Sequence, residues 1–142
     1  MDRTYNYHFT PPKGWMNDPN GFIYYKNRYQ LFYQYYPYSS TWNSMHWGHA
    51  VSRDLIRWEY LPCALAPDTD YDRMGCFSGS ALMTKDGKHL LIYTGCAEDN
   101  DDPQHRWIQS QSIAIGDGRD YIKYPGNPVI AENELPDGGD TH

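Results

Sequence analysis

F-I-Y-Y-K-N-R-Y-Q-L-F-Y-Q-Y, Phe22 to Tyr35, reads as two strands and the turn between them. Phe22 to Tyr25 and Tyr29 to Tyr35 are runs of aromatic and aliphatic side chains, which favour the half-buried surface of a pleated sheet. Lys26-Asn27-Arg28 breaks the run and turns the chain. Further along, Met45 to Ser52 is a third strand, Arg53-Asp54 opens a turn, and Arg57 to Tyr60 is a fourth. The cycle then restarts. Phe77 to Thr84 is a strand, Lys85 to Lys88 a tight turn and His89 to Gly95 the return, followed by strands at Trp107 to Ile115 and Tyr121 to Tyr124. No long helical periodicity occurs, so the predicted class is all-β.

The two groups of four look related. R-D-L-I-R-W-E-Y-L-P from Arg53 and R-D-Y-I-K-Y-P-G-N-P from Arg119 share Arg, Asp, Ile, an aromatic and a final Pro at one constant offset, as in Arg53/Arg119 and Pro62/Pro128. Four strands per repeat suggest propeller blades. Blade 1 is expected at about 15–62 and blade 2 at about 75–130. At least ~4 blades are needed to close a ring. The tail from Glu132 to His142 is polar, contains Gly and Pro, and offers no closing strand, so an incomplete piece of a larger protein is expected.

Composition narrows the function. The chain has 142 residues with 12 basic and 18 acidic side chains, a net charge of -6. No basic stripe is available for phosphates, which argues against nucleic acid as a partner. No apolar run approaches the ~20 residues of a membrane helix, so no membrane partner is expected. The polar start, Met1 to Asn6, has no signal-peptide core, and a cytoplasmic location is expected. Cys63, Cys76 and Cys96 lack the spacing of a disulfide framework or a zinc site and read as small buried residues. Fourteen tyrosines and five tryptophans point to β-structure, sugar binding, or both.

The candidate chemistry lies just before the first hairpin, in W-M-N-D-P-N-G, Trp15 to Gly21. Pro19 biases Asp18 toward an extended backbone. Asn20-Gly21 tolerates positive φ, so the chain is expected to turn there into a strand at Phe22. D-P-N-G alone is also an ordinary turn. The rest of the heptad adds an aromatic plate in Trp15 and an amide in Asn17, and plate, amide and carboxylate together suit a sugar ring.

The heptad resembles the signature of glycoside hydrolase family 32, the invertases, sucrose-6-phosphate hydrolases and fructanases. Y-H-F-T-P-P-K-G before it, L-F-Y-Q-Y-Y-P (Leu31 to Pro37), M-H-W-G-H-A-V-S-R-D-L-I-R-W (Met45 to Trp58) and F-S-G-S (Phe77 to Ser80) are similar to further motifs of that family, in order. The resemblance implies a five-bladed β-propeller, of which this chain carries about the first two four-stranded blades. It implies retaining hydrolysis of β-fructofuranosides with Asp18 as nucleophile. It implies that Asn17, Gln34, Trp42, Phe77 and Ser78 hold the fructosyl unit of a carbohydrate substrate, with no cofactor or metal. Asn43 stands where family members often carry Gly. The family's Arg-Asp-Pro and Glu-Cys motifs do not occur in this sequence, so its acid/base and third carboxylate are expected outside it, and the chain alone is expected to be inactive.

Other features read more plainly. His46 and His49 fall on opposite faces of a strand and are not expected to share an ion. Glu98 to Asp102 lacks the spacing of an EF-hand and reads as a solvated loop. Trp58 and Trp107 read as core, and Arg53-Asp54 and Arg119-Asp120 as equivalent turns. Against the enzyme stand two alternatives, a non-catalytic carbohydrate-binding module and a degenerate fragment. The module would use the same aromatic plates without needing an acid; the fragment would bind no ligand.

Overall fold

The computed structural model describes residues 8–134; the polar start and most of the acidic tail lie outside the described residues. The described chain folds into two four-stranded antiparallel sheets. The first runs in the order β1 (Trp15–Tyr25), β2 (Arg28–Tyr36), β3 (His46–Ser52), β4 (Trp58–Leu65). The second repeats it with β5 (Gly75–Met83), β6 (His89–Glu98), β7 (Trp107–Gly116) and β8 (Tyr121–Lys123). No helix among the described residues is long and apolar enough to cross a membrane.

Period-two alternation explains how the sheets stack. On β2, Gln30, Phe32 and Gln34 face one way and Tyr33 and Tyr35 the other. Phe32, Trp47 and Leu65 of the first sheet pack with Cys76, Leu91, Tyr93 and Ala114 of the second. Burial of each large side chain in that layer contributes about 2–3 kcal/mol. Tyr33, Tyr35 and Ala50 form a second cluster on the far face, which Phe9, Met16 and Trp58 cover. Phe9 sits edge-on to both Tyr33 and Trp58, and the Tyr60 hydroxyl donates to the Thr10 carbonyl, so the segment leading into β1 is pinned there.

Three side chains of the first sheet grip the backbone of β5. Gln34 Nε2 donates to the Cys76 carbonyl at 2.9 Å and Trp47 Nε1 to the Phe77 carbonyl at 3.1 Å. The Gly79 N–H donates to Asn20 Oδ1 at 3.3 Å. Buried backbone groups must find partners, and here they find them across the sheet boundary. The register between the sheets is therefore set by directional bonds as well as by apolar packing.

The heptad is not a turn that precedes a strand. It lies inside β1, which carries two one-residue bulges against β2, between Met16 and Pro19 and between Asn20 and Ile23. Local rules favour a turn at D-P-N-G, but pairing with β2 keeps the segment extended and takes up the irregularity as bulges. Gly21, at φ +52, serves the second bulge; a Cβ there would lie 3.0 Å from Phe32 and 3.2 Å from Ala81 across the sheet boundary.

The constant-offset repeat is also out of structural register. Asp54 Oδ1 accepts the N–H groups of Ile56 and Arg57 in the β3–β4 turn. In the β7–β8 turn the acceptor is Asp117, which takes the N–H groups of Arg119 and Asp120. Asp117, not Asp120, is the counterpart of Asp54, because Ser52 pairs with Trp58 in one turn while Gly116 pairs with Tyr121 in a shorter one. Of the cysteines, Cys76 and Cys96 are buried as expected, whereas Cys63 is exposed.

Two buried polar groups join the sheets. Asp72, fully buried in the linker after β4, accepts from Thr69 N and Oγ1 on one oxygen, and from Tyr93 Oη at 2.9 Å and Lys123 Nζ at 2.6 Å on the other. Lys123 also donates to Asp68 and to the Ala66 carbonyl. Burial alone would lower the Lys123 pKa, but its acidic neighbours outweigh that and raise it. The second group is His49 with His89. His49 Nε2 meets Gln30 Oε1 at 2.7 Å, His89 Nδ1 meets Tyr121 Oη at 2.6 Å, and both rings pack on Phe32. Burial pushes His49 down to about 3 and His89 down to about 4.

Candidate active site

The first bulge of β1 decides where Asp18 points. Met16 pairs with Tyr35 and Pro19 with Tyr33, so Asn17 and Asp18 together stand opposite the single residue Gln34. β5 is built alike. Phe77 pairs with Thr94 and Gly79 with Tyr93, which leaves Ser78 as its bulge. A Cβ at Gly79 would fall 2.0 Å from the Ile92 carbonyl oxygen, so glycine is needed where the bulged strand closes on β6. The two first strands thus present Asp18 and Ser78 toward each other, and Ser78 Oγ donates to Asp18 Oδ2 at 3.3 Å.

Around that pair lies a cavity of about 350 Å³, lined by Asn17, Asp18, Gln34, Trp42, Phe77, Ser78, Thr94 and Gln109. All six residues singled out in the sequence, Asn17, Asp18, Gln34, Trp42, Phe77 and Ser78, meet there. Their separation in the chain spans the whole first sheet and the start of the second. The volume falls within the range of small-ligand sites. A second cavity of about 380 Å³ lies at the opposite end of the first sheet among Arg28, Arg53, Asp54, Arg57 and Glu59. Its charges largely pair with each other, as Arg28–Glu59 and Arg57–Asp54, so the first cavity is the better candidate for chemistry.

Asp18 is the one carboxylate among the described residues that line the cavity, and it is exposed to solvent there. Asn17 is oriented by Trp15, whose Nε1 donates to Asn17 Oδ1 at 2.8 Å, so the amide has Nδ2 left for a ligand. Trp15 is not among the residues lining the cavity; its contact with the lining is this bond to Asn17. The aromatic walls are Trp42 and Phe77, edge to face with centroids 6.1 Å apart. Gln34 lines the cavity while its Nε2 is committed to the Cys76 carbonyl, so it also ties the sheets at the site. Thr94 Oγ1 accepts from Gln111 Nε2 at 3.1 Å.

Three participants were not singled out in the sequence. Thr94 and Gln109 come from the middle strands of the second sheet and have no motif to mark them. Trp107 was expected in the core. It is 41% exposed, at the start of β7, and lies nearly parallel to Trp42 with centroids 6.0 Å apart and 14° between planes. Alternation along β7 held the signal: Trp107, Gln109 and Gln111 share a face, and two polar residues on it argue against a dry interior. The loop before Trp107 is not simply solvated. His105 pairs with Glu98 at 2.8 Å, and Arg106 pairs with Asp99, Asp102 and Glu132.

Residues 8–142 match the family described as the glycosyl hydrolases family 32 N-terminal domain. An acid β-fructofuranosidase of Solanum lycopersicum is 48% identical over 130 residues, 87% of this chain and 19% of that protein. A sucrose-6-phosphate hydrolase of Zymomonas mobilis is 53% identical over 128 residues, 89% of this chain and 24% of that protein. Among solved structures, a Bombyx mori GH32 β-fructofuranosidase superposes with a TM-score of 0.82 at 48% identity, covering 93% of this chain and 27% of the other. The chain thus spans about a fifth to a quarter of the length of these relatives.

Proposed function

The chain belongs to glycoside hydrolase family 32, its two sheets being N-terminal blades of that family's β-propeller, and from this premise we propose that the protein carrying it is a retaining β-fructofuranosidase with Asp18 as nucleophile. The observation that carries the reading is the meeting of Asp18 with Ser78 on two facing bulges, at the floor of a cavity walled by Trp42 and Phe77.

A retaining glycosidase needs an ionised carboxylate at the anomeric carbon and a carboxylic acid on the other side, about 5–5.5 Å away. Asp18 supplies the first. One of its oxygens takes the Ser78 hydroxyl, which leaves the other to form the bond to C2 of the fructosyl unit as the bond from C2 to the leaving oxygen breaks. Backbone pairing of the flanking residues with β2 holds the carboxylate in place, as preorganised attack requires. Asn17 Nδ2 is a donor for fructosyl hydroxyls, and Trp42 and Phe77 offer faces to its C–H groups.

The acid is a different matter. Among the described residues no second carboxyl lines the cavity, so we assign the acid/base to a part of the protein beyond these two blades, and the 142-residue chain by itself is proposed to be inactive. The substrates proposed are sucrose, which a solved Bombyx mori relative holds, sucrose 6-phosphate or fructans, after relatives named sucrose-6-phosphate hydrolase and levanase.

Asp18→Asn in the protein carrying this chain tests the assignment. Turnover of sucrose should fall on the order of 10⁴-fold or more, as for other removed nucleophiles, while the melting temperature stays unchanged because the side chain is exposed and nearly isosteric. Retention of more than a tenth of the activity would show that Asp18 is not the nucleophile.

A further inference from the structure

The geometry points to Trp107 as a further specificity-determining residue: beside Trp42 it forms a shelf that takes the sugar on the leaving side of the fructosyl unit, and takes it uncharged. This inference rests on the glycosidase reading of the cavity.

Three rings make one aromatic surface at the mouth of the site. Trp42 and Trp107 are close to parallel, and Phe77 stands edge-on to both, 6.1 Å from Trp42 and 5.7 Å from Trp107 between centroids. Trp42 and Phe77 line the cavity, and Trp107 adjoins them from outside it. Gln109, which also lines the cavity, shares a strand face with Trp107. Two residues along a strand is roughly 7 Å. A ring seated on Trp107 therefore lies about that far beyond Gln109, next to the cavity that holds Asp18. In an exo-acting or disaccharide-cleaving site, that position belongs to the leaving group.

The shelf is preformed. Arg106, immediately before Trp107, is held by Asp99 at 3.3 Å and Glu132 at 3.0 Å, and the Asp99 N–H donates to the Arg106 carbonyl at 2.9 Å. A plate fixed before binding loses little freedom when it stacks on a sugar. Its exposure at the start of β7, beside a tied-down loop, is what a binding plate needs, and packing alone does not account for it.

Charge selects the guest. Among the described residues lining the cavity none is basic, and the one charged side chain is Asp18. The turn from the end of β6 to Trp107 holds Glu98, Asp99, Asp101 and Asp102 against His105 and Arg106. A phosphate on the leaving sugar would meet an excess of carboxylates here, the neighbouring Arg106 being already engaged by Asp99, Asp102 and Glu132, whereas the C–H face of a neutral ring stacks on indole without charge cost.

The test compares four substrates in the protein carrying this chain: methyl β-fructofuranoside, sucrose, a fructan trisaccharide and sucrose 6-phosphate. Trp107→Ala should raise KM for sucrose and the trisaccharide by about two- to tenfold, the range expected for one lost ring contact. It should leave kcat and all constants for the methyl fructoside unchanged. Trp107→Phe should restore most of the loss, and melting curves of both variants should match the parent. An equal loss on the methyl fructoside, or no change on the two larger substrates, overturns the assignment. A lower KM for sucrose 6-phosphate than for sucrose overturns the preference for an uncharged sugar. If the unmutated protein turns over none of the four, the glycosidase reading itself has failed, a result distinct from any pattern among the variants.

Discussion

Asp18 and Asp72 are the same side chain put to opposite uses. Asp72 has no exposed surface, and both of its oxygens are filled by donors from Thr69, Tyr93 and Lys123. Asp18 is exposed and receives a single, long bond from Ser78 at 3.3 Å. A saturated carboxylate holds a structure together but has no lone pair to offer an electrophile. A carboxylate on a rigid bulge with one oxygen unclaimed can attack, and contributes little to stability. The contrast suggests a general way to separate the acidic residues of such a fold: count what each oxygen already accepts.

The largest effect expected from this contrast is the loss of turnover in Asp18→Asn at constant stability. The complementary change is Asp72→Asn. It leaves Lys123, whose side chain is 15% exposed, without its buried counter-charge. Breaking a buried ion pair from one side costs about 3–5 kcal/mol, and Asp68, still in contact with Lys123, places the loss at the lower end. Urea unfolding should show that loss, while kcat per folded molecule stays within about twofold, since Asp72 does not line the cavity. If Asp72→Asn lowered kcat and left stability intact, the division between the two aspartates would be wrong.

A smaller effect follows from the histidines between the blades. Their pKa values in the fold, about 3 for His49 and about 4 for His89, lie below the ordinary value near 6.5. The unfolded chain therefore takes up protons that the folded chain refuses. Their contribution to stability is complete above pH 6.5 and is lost as pH falls from there toward 4 and 3. Melting temperature should decline across that window, and His89→Gln should flatten the decline. A melting temperature independent of pH between 7 and 4 in the unmutated protein would contradict the buried, neutral state of the pair. Smaller again is the KM shift of Trp107→Ala, because an exposed plate at the rim contributes one contact where the aspartates decide whether the site or the fold works.

Much of this architecture could be read from residue order. Runs such as Tyr29 to Tyr35, broken by Lys26-Asn27-Arg28, locate the strands because pleat and turn preferences are local. The six residues singled out at the cavity were legible only through motifs, since Asp18 and Ser78 lie 60 residues apart in a relation no periodicity encodes. Three kinds of feature escaped. D-P-N-G reads as a turn because its preference is local, whereas its strand state is imposed by pairing with β2. The repeat starting at Arg119 misled because matching letters do not track a turn that has lost a residue, and Asp117 took over the role of Asp54. The Asp72–Lys123 tie joins residues 51 apart and has no local mark at all.

The central claim concerns one carbon–oxygen bond, and mass spectrometry can look for it directly. The protein carrying this chain would be acid-quenched during turnover of sucrose and digested, and its peptides mapped. The account predicts one added hexosyl unit on the peptide containing Asp18, located on that residue by fragmentation and missing in Asp18→Asn. A hexosyl adduct on any other residue, or turnover that releases fructose of inverted configuration with no adduct, would contradict it.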